Sequence, residues 1–248
     1  MLSANSTVIA NEIQTEDNTG VVADINTNVA LNITSNTALN ISLENTENDE
    51  LTNEAEKSAS KSKLLNLLNS FKTLTANFNQ SVKDEDNTLL QQGNGSFSLS
   101  KPNLLHWSTL APDESTIVSD GESLWLYDPF IEQATVYSLE NSINNTPILL
   151  LMNQDEKVWS QYTIEEIAKE SNNTTTIDKF NITSKDSESQ VQSLSLIFDG
   201  QVLSSFTIND ITGQKSEFLL TDIETDKSLS PSLFLFEVPD GSVIDDQR

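Results

Sequence analysis

From Ala76 onward, apolar and polar residues alternate with a period of two, in short runs broken by turn signals every eight to twelve residues. That is the pattern of an all-β sandwich or barrel. It predicts strands at 76–82, 89–99, 103–109, 114–119, 122–128, 131–138, 159–165, 177–184, 191–198, 201–209, 214–223 and 234–238. Asp120-Gly121, Asp128-Pro129, Asp199-Gly200 and Asp240-Gly241 mark turns. Asp199-Gly200, lying between two alternating runs, is a hairpin signal. Gly93-Asn94-Gly95 is a lone glycine pair among strand-like residues and predicts a bend or bulge.

Two segments depart from this rhythm. Leu64, Leu67, Leu68, Phe71 and Leu74 recur at helical spacing, which predicts an amphipathic helix over 57–74, with Lys57, Lys61, Lys63 and Lys72 on its polar side. Its apolar stripe must be buried, most simply on a sheet. Further on, Thr146 as N-cap and Pro147 at the first helical position open a short apolar helix, Ile148-Leu149-Leu150-Leu151-Met152. A second short helix is expected near 229–233.

Several strands are apolar on both faces. Leu105 and Trp107 oppose Leu104 and His106, and Leu124 and Leu126 oppose Trp125 and Tyr127. A strand buried on one side only should alternate cleanly. Two apolar environments are therefore expected. One is the face under the helix. The other is either a lined cavity or ordinary core.

Residues 1–56 differ in kind. They are crowded with Asn, Thr, Ser, Asp and Glu, and hold no aromatic residue and no base before Lys57. Ala30-Leu31-Asn32-Ile33-Thr34 is echoed by Ala38-Leu39-Asn40-Ile41-Ser42. Such a stretch buries too little to offset chain entropy, so it reads as a mostly disordered acidic tail, or one that folds weakly on a partner. The chain thus divides into a tail, 1–56, and a β domain, 57–248.

Composition narrows the function. Thirteen basic against 38 acidic residues give a net charge of −25. Nucleic acid is excluded as a partner, since affinity for it comes from cations on phosphates. Anionic membrane surfaces repel such a chain, and like charge favours a soluble monomer. No run approaches a membrane span. No signal peptide is recognisable, so an exported form would have lost it and Met1 would be an added start. Cysteine is absent, which rules out disulfides, thiolate ligands and a lipid-anchoring N-terminal Cys. With a single histidine, His106, and no G-x-S-x-G elbow, no catalytic triad or His-based metal site can be assembled; no enzyme and no cofactor is expected.

Specificity comes from blocks between Lys101 and Thr135. Lys101-Pro102-Asn103-Leu104-Leu105-His106-Trp107 is followed by Pro112-Asp113-Glu114-Ser115 and Val118-Ser119-Asp120-Gly121. Then come Leu124-Trp125-Leu126-Tyr127-Asp128-Pro129-Phe130 and Glu132-Gln133-Ala134-Thr135. With Asn145-Thr146-Pro147, the Phe236-x-x-Pro239-x-Gly241 stretch and the Asp245-Asp246-Gln247-Arg248 end, these blocks resemble the LolA family of outer-membrane lipoprotein carriers, over about residues 61–248. The resemblance implies a mainly β fold: an unclosed antiparallel barrel of about eleven strands with an α-helical lid. It implies a periplasmic chaperone of Gram-negative cells. Such a carrier takes lipoproteins from the inner-membrane LolCDE complex, shields their acyl chains, and hands them to the receptor LolB.

Carried over residue by residue, Lys101 stands where the family has a lid-latching arginine. Lysine keeps the charge and loses the planar fork of donors. Leu105 stands at a partner-contact position that is usually aromatic. Trp107 matches an inward-facing cavity Trp, and Ile117, Phe130, Ile148, Leu149 and Met152 fall on cavity or lid positions. The alternatives are related half-barrels: a LolB-like acceptor, which the missing Cys disfavours, or a lipid-binding envelope sensor of the RseB type.

Overall fold

The twelve strands of the computed structural model form one sheet in the order β12-β6-β5-β4-β3-β2-β1-β11-β10-β9-β8-β7. The structure describes residues 54–143, 146–171 and 176–248. A helix, α1, runs over 54–68. The first meander comprises β1 (Thr73–Lys83), β2 (Leu89–Ser100), β3 (Leu104–Thr109), β4 (Ser115–Asp120), β5 (Ser123–Asp128) and β6 (Gln133–Ser138). A short α2 (Leu139–Ser142), a 3-10 helix (Pro147–Leu151) and α3 (Glu156–Trp159) lead to the second meander. That consists of β7 (Tyr162–Ser171), β8 (Thr176–Ser184), β9 (Val191–Asp199), β10 (Val202–Asp210) and β11 (Lys215–Thr225). A 3-10 turn (Pro231–Phe234) and β12 (Val243–Asp246) close the chain.

The two meanders join where β1 pairs antiparallel with β11. The sheet ends at β7 and β12, so the barrel is unclosed. Strand alternation located β1 to β11 to within three residues, except that β7 runs on to Ser171, six residues past the expected end. Gly200 sits at φ 62° in the β9–β10 turn and Gly121 at φ 102° in the β4–β5 turn, conformations that suit glycine. The expected strand at 159–165 starts later, at Tyr162, because Trp159 ends α3.

Three expectations need correction. The helix stops at 68 and Leu74 lies in β1, opposite Leu99. Asn69-Ser70 turn the chain, and the turn keeps Phe71 and Leu74 facing the same core, so the helical spacing outlasts the helix. The span 234–238 is not a strand, as Pro231 starts a 3-10 turn and Pro239 lacks the N–H a ladder needs. The last strand is instead Val243–Asp246, parallel to β6. Third, the Gly93-Asn94-Gly95 stretch is no bulge: β2 stays in register with β1 from Thr73 to Val82. Of the expected tail, residues 1–53 lie outside the described residues, and 54–56 are helical. Pro147–Leu151 is a 3-10 helix to which the Thr146 side chain gives no cap.

The two apolar faces now have occupants. The inner face, carrying Leu105, Trp107, Leu124 and Leu126, meets α1 and the 3-10 helix in one core with Leu64, Leu68 and Leu149. The outer face of β3–β6 is covered by the C-terminal segment. Phe234 is buried, and Phe236 lies against Trp125 and Tyr127, with ring centroids 5.3 and 5.9 Å apart. So the second apolar environment is ordinary core under a strap, and any cavity belongs to the inner face. No helix among the described residues is long and apolar enough to cross a membrane.

Gly95 faces the inner side opposite Phe78, whose ring fills the place of a side chain. A Cβ at Gly95 would collide with the Ser108 carbonyl oxygen and lie 2.5 Å from Phe78 Cζ. Gly95→Ala should therefore destabilise by about 1–3 kcal/mol, the range of overpacked cores. At this size that is a fall in Tm of roughly 2–4 °C per kcal/mol. Thermal melting followed by near-UV circular dichroism checks this; an unchanged Tm would contradict the packing described.

Candidate functional site

Where α1 does not cover the inner face, a cleft of about 920 Å³ opens. Its strand walls are Gln80 (β1), Gln91 (β2), Trp107 and Thr109 (β3), Ser115 and Ile117 (β4), Leu126 (β5), Phe206 and Ile208 (β10) and Phe218 (β11). Loop residues Pro112 to Glu114 and Asp128 to Phe130 form one rim, and Thr146, Pro147 and Ile148 form another. This volume sits near the top of the roughly 300–1,000 Å³ range of small-molecule sites.

The floor is aromatic. Trp107 stacks on Phe78 at 4.2 Å between centroids and on Phe97 at 5.4 Å. Phe218 meets Trp107 edge-on at 5.5 Å, and Phe206 stacks on Phe218 at 4.5 Å. Trp107 Nε1–H donates to Thr109 Oγ1 at 3.2 Å, so the indole's one polar group is satisfied within its own strand. Trp107 is 7% exposed, and its indole keeps no free donor for a ligand to match. Polar groups gather at the rim. Asp113 accepts from Gln91 Nε2 at 2.8 Å, and Asp128 accepts from the Phe130 N–H at 2.9 Å. That second bond bends the loop so that Phe130 stands 94% exposed at the mouth. Asp113, Glu114 and Asp128 are the charged residues lining the cleft, all acidic. Such a site can hold alkyl chains. It offers no nucleophile–base pair.

Lys101 follows β2 and reaches the last turn of α1. Its Nζ donates to the Leu68 carbonyl oxygen and lies 3.9 Å from the centre of the Phe71 ring. A cation is well placed at a helix C-terminus, where carbonyls lack partners. Burial pushes the Lys101 ammonium down to about 8, against a smaller upward pull from Asp226. Asp226 also accepts from the Lys72 N–H at 2.8 Å, which fixes the turn after α1. Along the helix, Lys63 Nζ donates to Glu166 at 2.9 Å and to Asp178 at 2.7 Å. Burial works against the Lys63 charge, yet its hydrogen bonds to these two carboxylates hold its pKa above the ordinary value. Lys61 pairs with Glu156 of α3.

The structure brings Trp107, Ile117, Phe130 and Ile148 to one cleft. Leu149 and Met152 do not line it; they are buried in the core behind the 3-10 helix. Leu105 is 0% exposed, on the inner face beneath the core cluster that includes Leu64 and Leu68. It therefore presents no surface to a partner in this conformation, because strand register places it two residues from Trp107 on the same inward side. His106 points to the opposite face, where burial lowers its pKa. Sequence reasoning missed Phe206, Ile208 and Phe218 as walls and Lys63, Glu166 and Asp178 as a cluster. The alternation of Phe206 and Ile208 was a usable signal. Nothing local links Lys63 to strands about a hundred residues away.

Residues 69–237 match the family described as outer membrane lipoprotein carrier protein LolA. The chain belongs to the LolA family. An outer-membrane lipoprotein carrier protein of Shewanella sediminis is 40% identical over 176 residues, 71% of this chain and 80% of that one. One from Pasteurella multocida is 35% identical over 188 residues, 75% of this chain and 87% of that one. The crystal structure of a LolA superfamily protein from Nitrosomonas europaea superposes with a TM-score of 0.40 at 12% identity, covering 67% of this chain and 91% of that chain.

The depressed pKa of Lys101 has a signed consequence. Its folded value, about 8, lies below the value of 10.5 for an unburied lysine, so protons favour the unfolded chain. Below pH 8 the buried ammonium costs stability; between 8 and 10.5 the folded protein sheds the proton first and that cost fades. The Tm of the wild type should therefore rise relative to Lys101→Leu as pH climbs through this window. Parallel melts of the two proteins measure it, and a flat difference would contradict the burial of the charge.

Proposed function

We propose that this protein carries lipoproteins through the periplasm, accepting them from the inner-membrane LolCDE complex and handing them to LolB at the outer membrane. The acyl chains occupy the cleft floored by Trp107, Phe206 and Phe218. That aromatic, donor-poor floor, in a member of the LolA family, is the observation that carries the reading. Each CH₂ buried contributes roughly 0.8 kcal/mol, so uptake has ample driving force and release is the harder step.

The lid contacts suit that problem. Lys101 places a charge that is costly to bury on a single carbonyl and one ring face. A net hydrogen bond is worth about 1 kcal/mol, which a ligand that gains more by burial can displace. No bond is made or broken in this scheme; the work is burial and exposure of hydrocarbon.

The protein incubated with lipoprotein-loaded spheroplasts should bring lipoproteins into the soluble fraction bound to itself. If none is released, the carrier reading falls. Ile117→Glu puts a carboxylate on the cleft wall and should cut the amount released at least about tenfold, since an unpaired buried charge costs several kcal/mol. Lys101→Leu should stay folded but hand over poorly to LolB. Full transfer by that variant would count against the latch role of Lys101.

A further inference from the structure

Helix α1 is tied to both halves of the sheet, by two different kinds of contact. Its C-terminal end passes through residues 69–72 directly into β1. Lys101 and the Asp226–Lys72 bond fasten that end. Upstream of that end the helix is held by Lys61, paired with Glu156 of α3, and by Lys63, whose ammonium reaches the last two strands of the far edge, Glu166 on β7 and Asp178 on β8. Asp178 is 5% exposed, and Lys63 Nζ also lies 5.7 Å from the centre of the Phe180 ring on the same strand. A buried carboxylate requires a partner. With Lys63 withdrawn, two carboxylates would share that edge unneutralised.

We propose that Lys63, seated between Glu166 and Asp178, is a positioning residue for uptake. It is an ionic latch on the body of α1, and the helix opens by leaving this seat while pivoting on the end that Lys101 holds. Lifting the helix there uncovers Leu64 and the inner-face core beneath it, including Phe180 and Leu105, and so extends the cleft. Lys101 binds a neutral carbonyl, whereas Lys63 binds two carboxylates; salt therefore weakens the second contact more than the first. The purpose assigned to this motion rests on the carrier reading, but its test does not.

Hydrogen exchange on the full chain reads the motion directly. In Lys63→Met, amides over 54–66 should exchange on the order of tenfold faster, while β9 and β10 keep wild-type rates. Uptake of the neutral probe N-phenyl-1-naphthylamine should rise several-fold. Lys63→Arg should restore both. Raising NaCl to about 0.5 M should speed exchange over 54–66 in the wild type and leave Lys63→Met unmoved. Unchanged exchange over 54–66 in Lys63→Met, or an equal rise throughout the sheet, overturns the proposal. If that variant does not fold, Asp178→Asn, which leaves Lys63 its Glu166 partner, should give a smaller rise confined to the same segment; no rise overturns it. Faster exchange in a protein that releases no lipoprotein from spheroplasts upholds the latch and overturns only the carrier reading.

Discussion

A curved sheet of twelve strands has a concave face that must be covered, and everything else in this molecule follows from how incompletely that is done. Residues of both meanders put aromatic and aliphatic side chains on the inside, from Phe78 and Phe97 to Phe180 and Phe206. One helix and a few short turns are the material available to bury them. Helix α1 fills one end with Leu64 and Leu68, and the 3-10 helix fills the flank. At the other end the wall is left open as a cleft. An interior closed all round would be a better core and no carrier.

The packing under the cleft explains why it stays open. Trp107 is braced on three sides by Phe78, Phe97 and Phe218, and its indole N–H is occupied by Thr109. The brace depends on Gly95, where the absence of a Cβ lets Phe78 lie against the strand backbone. Fixed aromatic rings cannot collapse into the space beside them. The cavity is therefore held open by rigidity rather than by polar residues.

Much of this was legible in the sequence because strands and turns are local. Period-two alternation and the Asp-Gly turns placed nearly every strand, and the Lys101–Thr135 blocks carried the family and with it four of the cleft residues. What was not legible depends on distant pairing. The helical spacing of Leu64 to Leu74 runs on across a turn, since Phe71 and Leu74 face the same core from a different element. The strap over Trp125 and Tyr127 looked like a possible second cavity, because a strand's own alternation shows that a face is buried and not what buries it. Leu105 is named as a partner contact from the resemblance alone. Its position beside Trp107 is local, but the helix that closes over it is not.

Charge gives the lid its balance. The chain is strongly acidic, with only 13 bases, yet Lys61, Lys63 and Lys101 all serve helix α1. They differ in kind: Lys61 pairs with the exposed Glu156, Lys101 loses hydration for one carbonyl, and Lys63 keeps its charge between two carboxylates. Apolar packing favours a seated helix, since burying Leu64 and Leu68 contributes a few kcal/mol against the entropy of ordering the chain. The buried Lys101 ammonium supplies a further opposing term. An arginine at position 101 would bring a planar fork of donors to the same helix end. Lysine there sets a weaker hold at the pivot, and the carboxylate pair at Lys63 is what keeps the rest of the helix seated.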